Sequence, residues 1–189
     1  PEVDLMSIDR RSFDIGMDDE QRSCQDVLMA RVQHGEVASP TCYILYCHGN
    51  AEDIGSIMRM LKYVSGRYNA VVYALEYTGY GATRHLERTR MRSVYDDVLT
   101  AAAHLAETET LPRVIWARSM GCAPGLRAAR VSGCTALVLE SPFLTPVMTV
   151  LPLRLPMLES RFENIEEIKS VECPIMFIHG TEDAVVPFW

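Results

Sequence analysis

"VIWARSMGCAPGL" occupies residues 114–126, and its reading decides the fold. An apolar, β-branched run stops at a single serine, Ser119, flanked two positions away by Ala117 and Gly121. An Ala-rich stretch from Met120 to about Val131 follows directly. Strand, sharp turn, helix is the local pattern of a nucleophile elbow, where a strained serine requires small flanking residues. The helix beginning there points backbone N–H groups at the turn, which favours developing negative charge. A serine in an ordinary turn fits the same letters, so the neighbouring stretches must decide between the two.

Four more apolar runs surround this one: "TCYILYCHGN" (41–50), "NAVVYALEYTGYG" (69–81), "TALVLESP" (135–142) and "PIMFIHGTED" (174–183). All are continuous rather than alternating, as expected of strands covered on both faces of a mainly parallel sheet. Helical stripes fill the gaps. Ile54, Ile57, Met58, Leu61 and Val64 form one; Met91, Val94, Tyr95, Val98, Ala102 and Leu105 form another. The alternation predicts right-handed βαβ units and an α/β fold, with a mostly parallel central sheet flanked by helices on both faces. The first 40 residues are less regular and read as an antiparallel edge. Between Ser141 and Ser170 the chain becomes rich in Leu, Met and Pro; four prolines there forbid one long helix. "RFENIEEIKS" (161–170) reads as a short amphipathic helix. Residues 142–170 form either a small lid over an acyl-binding cleft or an irregular connection packed on the core.

With 189 residues, 48% of them apolar and 23% charged, the chain suits a single globular domain over 1–189. A net charge of −7 argues against nucleic acid, and Glu87 interrupts the one basic stretch, Arg84–Arg92. No apolar run approaches the roughly 20 residues that span a bilayer. The opening at Pro1 and the end at "VVPFW" read as a fragment cut at both ends. Peripheral membrane contact through segments outside it is left open. The six cysteines form no C-x-x-C pair. They read as small buried hydrophobes in a reducing, cytoplasmic setting rather than a disulfide frame or zinc site. Cys122 is the one considered as a reactive thiol. No cofactor is expected. A metal site of His48, Asp53, His179 and Asp183 is possible by composition, but it lacks the close His or Cys spacing zinc prefers.

In open α/β sheets, ligands bind beyond the carboxyl ends of the strands. His48-Gly49-Asn50, Ser119 and Asp183 all fall there. The backbone N–H groups of Asn50 and Met120 are the candidate oxyanion donors, with His48 as a loop brace. Asp183 could orient an imidazole or cap its turn. Glu182, Glu76 and Glu140 are rival acids, of which Glu76 and Glu140 more plausibly tie down strand ends.

"CYILYCHGNAEDIG", "YTGYGA", "ARSMGCAPGL", "LESPF" and "PIMFIHGTEDAVVPF" resemble the successive motifs of the α/β-hydrolase superfamily over roughly residues 40–189. The likeness is strongest to the abhydrolase branch that includes protein depalmitoylases, which Pro124 also matches. It implies a Ser-acid-His chain order, with Ser119 as nucleophile, Asp183 as triad acid, and Asn50 and Met120 at the oxyanion. The implied substrates are S-acylated protein first, a lipid or small acyl ester second, and peptide third. Two departures stand out. Ala117 replaces the usual first glycine of the elbow, and the residues after Asp183, AVVPFW, contain no histidine. Of His34, His48, His85, His104 and His179, only His85 lies in a loop that could swing over Ser119. The expectation is a C-terminally incomplete hydrolase, nearly inactive by itself, with an exposed sheet edge and poor solubility. The alternative is a hydrolase-like binding protein without activity.

Overall fold

The apolar runs become strands, and what covers them explains their composition. The computed structural model describes residues 2–9, 26–85, 89–143, 164–186 and 188. Strands β1 (Glu2–Ile8), β2 (Val27–Gln33), β3 (Cys42–Cys47), β4 (Ala70–Glu76), β5 (Arg113–Arg118), β6 (Ala136–Glu140) and β7 (Ile175–Ile178) form one sheet. Their order is β1-β2-β4-β3-β5-β6-β7. The antiparallel edge expected of the first residues is β1 on β2 and β2 on β4; every other pairing is parallel.

Alternate residues of the central strands serve two separate cores. Tyr43, Leu45 and Cys47 of β3, with Tyr73 and Leu75 of β4, meet Val98, Leu105 and Leu126 on one face. Ile44, Tyr46, Val72 and Ala74 meet Ile57, Leu61 and Val64 on the other. A strand buried on both sides has no polar face to show, so its sequence runs apolar throughout.

Helix α1 (Ile54–Tyr68) supplies the second core and α2 (Met91–Thr108) and α3 (Cys122–Ser132) the first. Asp53 starts α1 with a capping box. Its Oδ1 accepts from the Ser56 N–H at 2.7 Å, and the Asp53 N–H donates to Ser56 Oγ at 3.0 Å. Asn69 ends the helix at φ 50°, a left-handed conformation asparagine tolerates. Buried Asp97 on α2 accepts the Thr78 N–H at 2.7 Å and so anchors the loop after β4. A short α4 (Asn164–Glu167) runs into a 3-10 turn at Ile168–Ser170. Arg127 and Arg130 of α3 both pair with Glu167, at 3.1 and 2.6 Å. Most of the 142–170 segment, residues 144–163, lies outside the described residues, and with it the question of a lid.

Among the described residues, β7 pairs with β6 alone and leaves Met176 and Phe177 about three-fifths exposed, at 60% and 59%. No helix among them is long and apolar enough to cross a membrane.

Candidate active site

Ser119 leaves β5 at φ 50° and opens a single 3-10 turn, Ser119–Gly121, that passes straight into α3. A left-handed serine is strained because its Cβ crowds the backbone. Gly121 shows why the elbow needs a small residue there. A Cβ on it would lie 2.4 Å from the Cys47 carbonyl oxygen and 2.8 Å from that of His48. Ala117, which replaces the expected glycine, is accommodated from the other side. Gly125 of α3 presses so closely that its own Cβ would sit 2.7 Å from the Ala117 methyl. Pro124 is third in α3, within the first turn, where a missing N–H costs no helical bond.

The loop after β3 lies beside the serine: a Cβ on Gly49 would be 3.6 Å from Ser119 Cβ. Glu52 holds this loop, its Oε2 accepting the Gly49 N–H at 2.8 Å while Oε1 pairs with Arg118. Arg118 also reaches Glu140 Oε1 at 3.1 Å, and Glu140 Oε2 accepts from Trp116 Nε1 at 3.0 Å. One guanidinium therefore ties the loop after β3 to the ends of β5 and β6, next to Ser119.

Asn50 and Met120, proposed as the oxyanion donors, share a neighbour. The Tyr80 hydroxyl donates to Asn50 Oδ1 and lies 3.6 Å from Met120 Sδ. Burial raises the Tyr80 phenol, keeping it a neutral donor. His48 is fully buried. Its Nδ1 lies 2.8 Å from the Gly49 carbonyl oxygen, its Nε2 is 3.4 Å from Glu76 Oε1, and its ring packs 4.0 Å from that of Tyr77. Glu76 Oε2 accepts the Ile54 N–H at 3.2 Å, at the start of α1. His48 is thus a brace, and Glu76 and Glu140 tie down strand ends, as their positions in the sequence implied.

Asp183 sits in the turn after β7. Its Oδ1 accepts the N–H groups of Val186 and Val185, both at 2.9 Å, and its Oδ2 accepts the Ser141 hydroxyl at 3.0 Å. The Val186 and Val185 N–H groups, with Ser141 and His179 adding less, hold its carboxyl below the usual aspartate range. The turn cap and the triad acid are compatible roles for one carboxylate, since each oxygen accepts more than one bond. Glu182 beside it is exposed.

No histidine is placed as a base between Asp183 and Ser119. His179 Nε2 is 3.8 Å from Asp183 Oδ2 but 2.7 Å from the Val186 carbonyl oxygen, and its ring packs against Phe188. His34 ends β2 against α1, where the Ser65 hydroxyl accepts its N–H at 2.8 Å. His85 is exposed and His104 lies on α2. Cys122 is no reactive thiol. It is buried, its Sγ donates to the Ala117 carbonyl at 3.2 Å, and burial pushes its pKa up to about 12. Asp53 caps α1 and Asp183 closes its turn, so the four residues weighed as a metal site do not gather. Among the described residues no three His, Cys, Asp or Glu side chains do.

Sequence reasoning missed Tyr80, Glu52, Arg118 and Ser141. All four lay in stretches already singled out, "YTGYGA", "CYILYCHGNAEDIG", "ARSMGCAPGL" and "LESPF", but nothing in those letters shows which side chains meet.

A sheet of this order, with a left-handed serine after β5 and an aspartate after β7, defines an α/β-hydrolase. Residues 38–166 match the family Hydrolase_4, described as serine aminopeptidase, S33, and the chain belongs to it. It is similar to the α/β hydrolase domain-containing protein aho-3 of Caenorhabditis elegans. The two are 31% identical over 150 residues, 77% of this chain and 44% of that protein. It is also similar to human α/β hydrolase domain-containing protein 17C, 28% identical over 77% of this chain and 45% of that one. The chain spans about half the length of these curated relatives. Among solved structures, an esterase from Pyrococcus furiosus superposes with a TM-score of 0.70 at 15% identity, covering 99% of this chain and 74% of that one. An α/β serine hydrolase without lid from Xanthomonas campestris gives 0.66 at 16% identity, covering 99% and 75%. These two likenesses are of fold.

Proposed function

We propose that the protein is a serine hydrolase of acyl esters or thioesters. The observation that carries this is Ser119 held left-handed on the elbow, beside a loop whose Asn50 meets the Met120 side chain at Tyr80. In this reading Ser119 Oγ attacks the acyl carbonyl, and the N–H groups of Asn50 and Met120 receive the oxyanion. Asp183 orients a histidine from outside these 189 residues. That histidine takes the serine proton, returns it to the leaving group, and then activates the water that releases the acyl-enzyme.

β6 lies between β5 and β7, and the Asp183 carboxylate reaches back to Ser141 at the end of β6, towards the elbow strand. The resemblance to the depalmitoylase branch favours S-acylated protein as substrate, with a lipid ester next and membrane contact through other segments. The printed description of the matching family makes a peptide substrate the second reading. A third reading is a hydrolase-like binding protein that keeps the cleft without the chemistry.

Sequencing the transcript past the codon for Trp189 separates these readings: a histidine after one further strand-like run supports the hydrolase, and a stop codon supports the binding protein. In the complete protein, Ser119→Ala should lower turnover of a short-chain thioester by roughly a million-fold while leaving the thermal unfolding transition cooperative. Unchanged turnover removes Ser119 as nucleophile.

A further inference from the structure

At the opposite ends of the strands from Ser119, two thiols that the hydrolase reading does not use lie in contact. Cys134 stands in the bend before β6 and Cys173 in the bend before β7. Their sulfurs are 2.9 Å apart, although both cysteines are free. The first rung of the ladder, from the Leu137 N–H to the Pro174 carbonyl at 3.0 Å, holds the two bends side by side. Both thiols line an open cleft of about 470 Å³ with Arg130, Gly133, Ser170 and Glu172. That volume falls within the range of small-molecule sites.

We propose that Cys134 and Cys173 form a redox-active dithiol site that reacts with a low-molecular-weight disulfide of the glutathione class. Both sulfurs are half-buried, accessible from the cleft, and need close by less than an ångström to reach the roughly 2.05 Å of a disulfide. Burial, with the Cys173 thiol adding to it, pushes the Cys134 pKa up to about 12. In the first step one thiol of the pair gives its proton to solvent, bonds to one sulfur of glutathione disulfide and releases one glutathione thiolate. The second thiol then gives its proton to solvent, attacks the protein sulfur of that mixed disulfide and releases the second glutathione. Two protein thiols are oxidised to one disulfide, and one glutathione disulfide is reduced to two glutathiones.

The test is to equilibrate the reduced protein in glutathione buffers of rising disulfide share, quench with acid and alkylating agent, and map the cysteines without reduction. The expected result is a peptide pair joining Cys134 to Cys173, lighter by two hydrogens, that forms as the buffer becomes more oxidising and reverses on adding thiol. In Cys134→Ser, and likewise in Cys173→Ser, a single glutathione should stay on the remaining thiol, which has no partner to release it. Buried Cys47 and Cys122 should alkylate only after unfolding. Both thiols remaining free across the series, or separate glutathiones on each without a cross-link, overturns the proposal. The unsubstituted protein decides this even if a variant fails to fold.

Discussion

Ser119 holds a backbone conformation, φ 50°, that costs a non-glycine residue roughly 1–2 kcal/mol. The penalty belongs to the Cβ and not to the hydroxyl, so alanine inherits it and glycine does not. Ser119→Gly should therefore be more stable than Ser119→Ala by about 1 kcal/mol, despite the greater chain entropy of glycine. Urea midpoints of the two variants measure this, and equal midpoints would mean that the elbow is not strained. Much of the elbow was legible, because its constraint is on the size of near neighbours in sequence. The Ala117 exception was not, since its explanation is Gly125, which the helix brings opposite it. The link among Glu52, Arg118 and Glu140 was illegible for a related reason. Glu140 could be read as a strand-end tie, but Arg118 and the loop residue Glu52 look solvated until the sheet brings the three together.

At the scale of one element, the turn after β7 is closed by a single carboxylate. Asp183 has a lowered pKa in the fold because two backbone N–H groups and the Ser141 hydroxyl bond its charged form. A depressed pKa stabilises the fold above the unfolded aspartate value of about 3.9 and stops doing so as pH falls through the lower folded value. Asp183→Asn should thus be less stable than the unsubstituted protein near neutrality, and the two should converge in acid, below about pH 4. A difference in urea midpoint that stayed constant with pH would show that the charge is not what holds the turn. The strand before this turn was plain in the sequence as a short apolar run, and its aspartate was visible as a candidate with two roles. The pairing of Cys134 with Cys173 was not visible. No spacing links two bends that only the β6–β7 register aligns.

For the molecule as a whole, the runs and stripes disclosed which elements exist and that most strands are parallel. They did not disclose the order of strands in the sheet, which depends on the direction each crossover takes. That order leaves β7 with one neighbour among the described residues and with Met176, Phe177 and Ile178 open to solvent. Such an edge is a template for pairing with another chain. The 189-residue chain expressed by itself should elute from size exclusion ahead of a monomer, and Phe177→Lys should shift it back. A sharp monomeric peak without the substitution would show that the edge is harmless.

The contacts that bend Ser119 have a common address. The carbonyls of Cys47 and His48, the methyl of Ala117, Gly121 and Gly125 all lie N-terminal to β6. During synthesis, the ribosome has therefore made every part of the elbow before it begins the strand leading to Asp183. None of these contacts comes from Asp183. A lineage of such chains could lose that aspartate to drift and still inherit a bent serine.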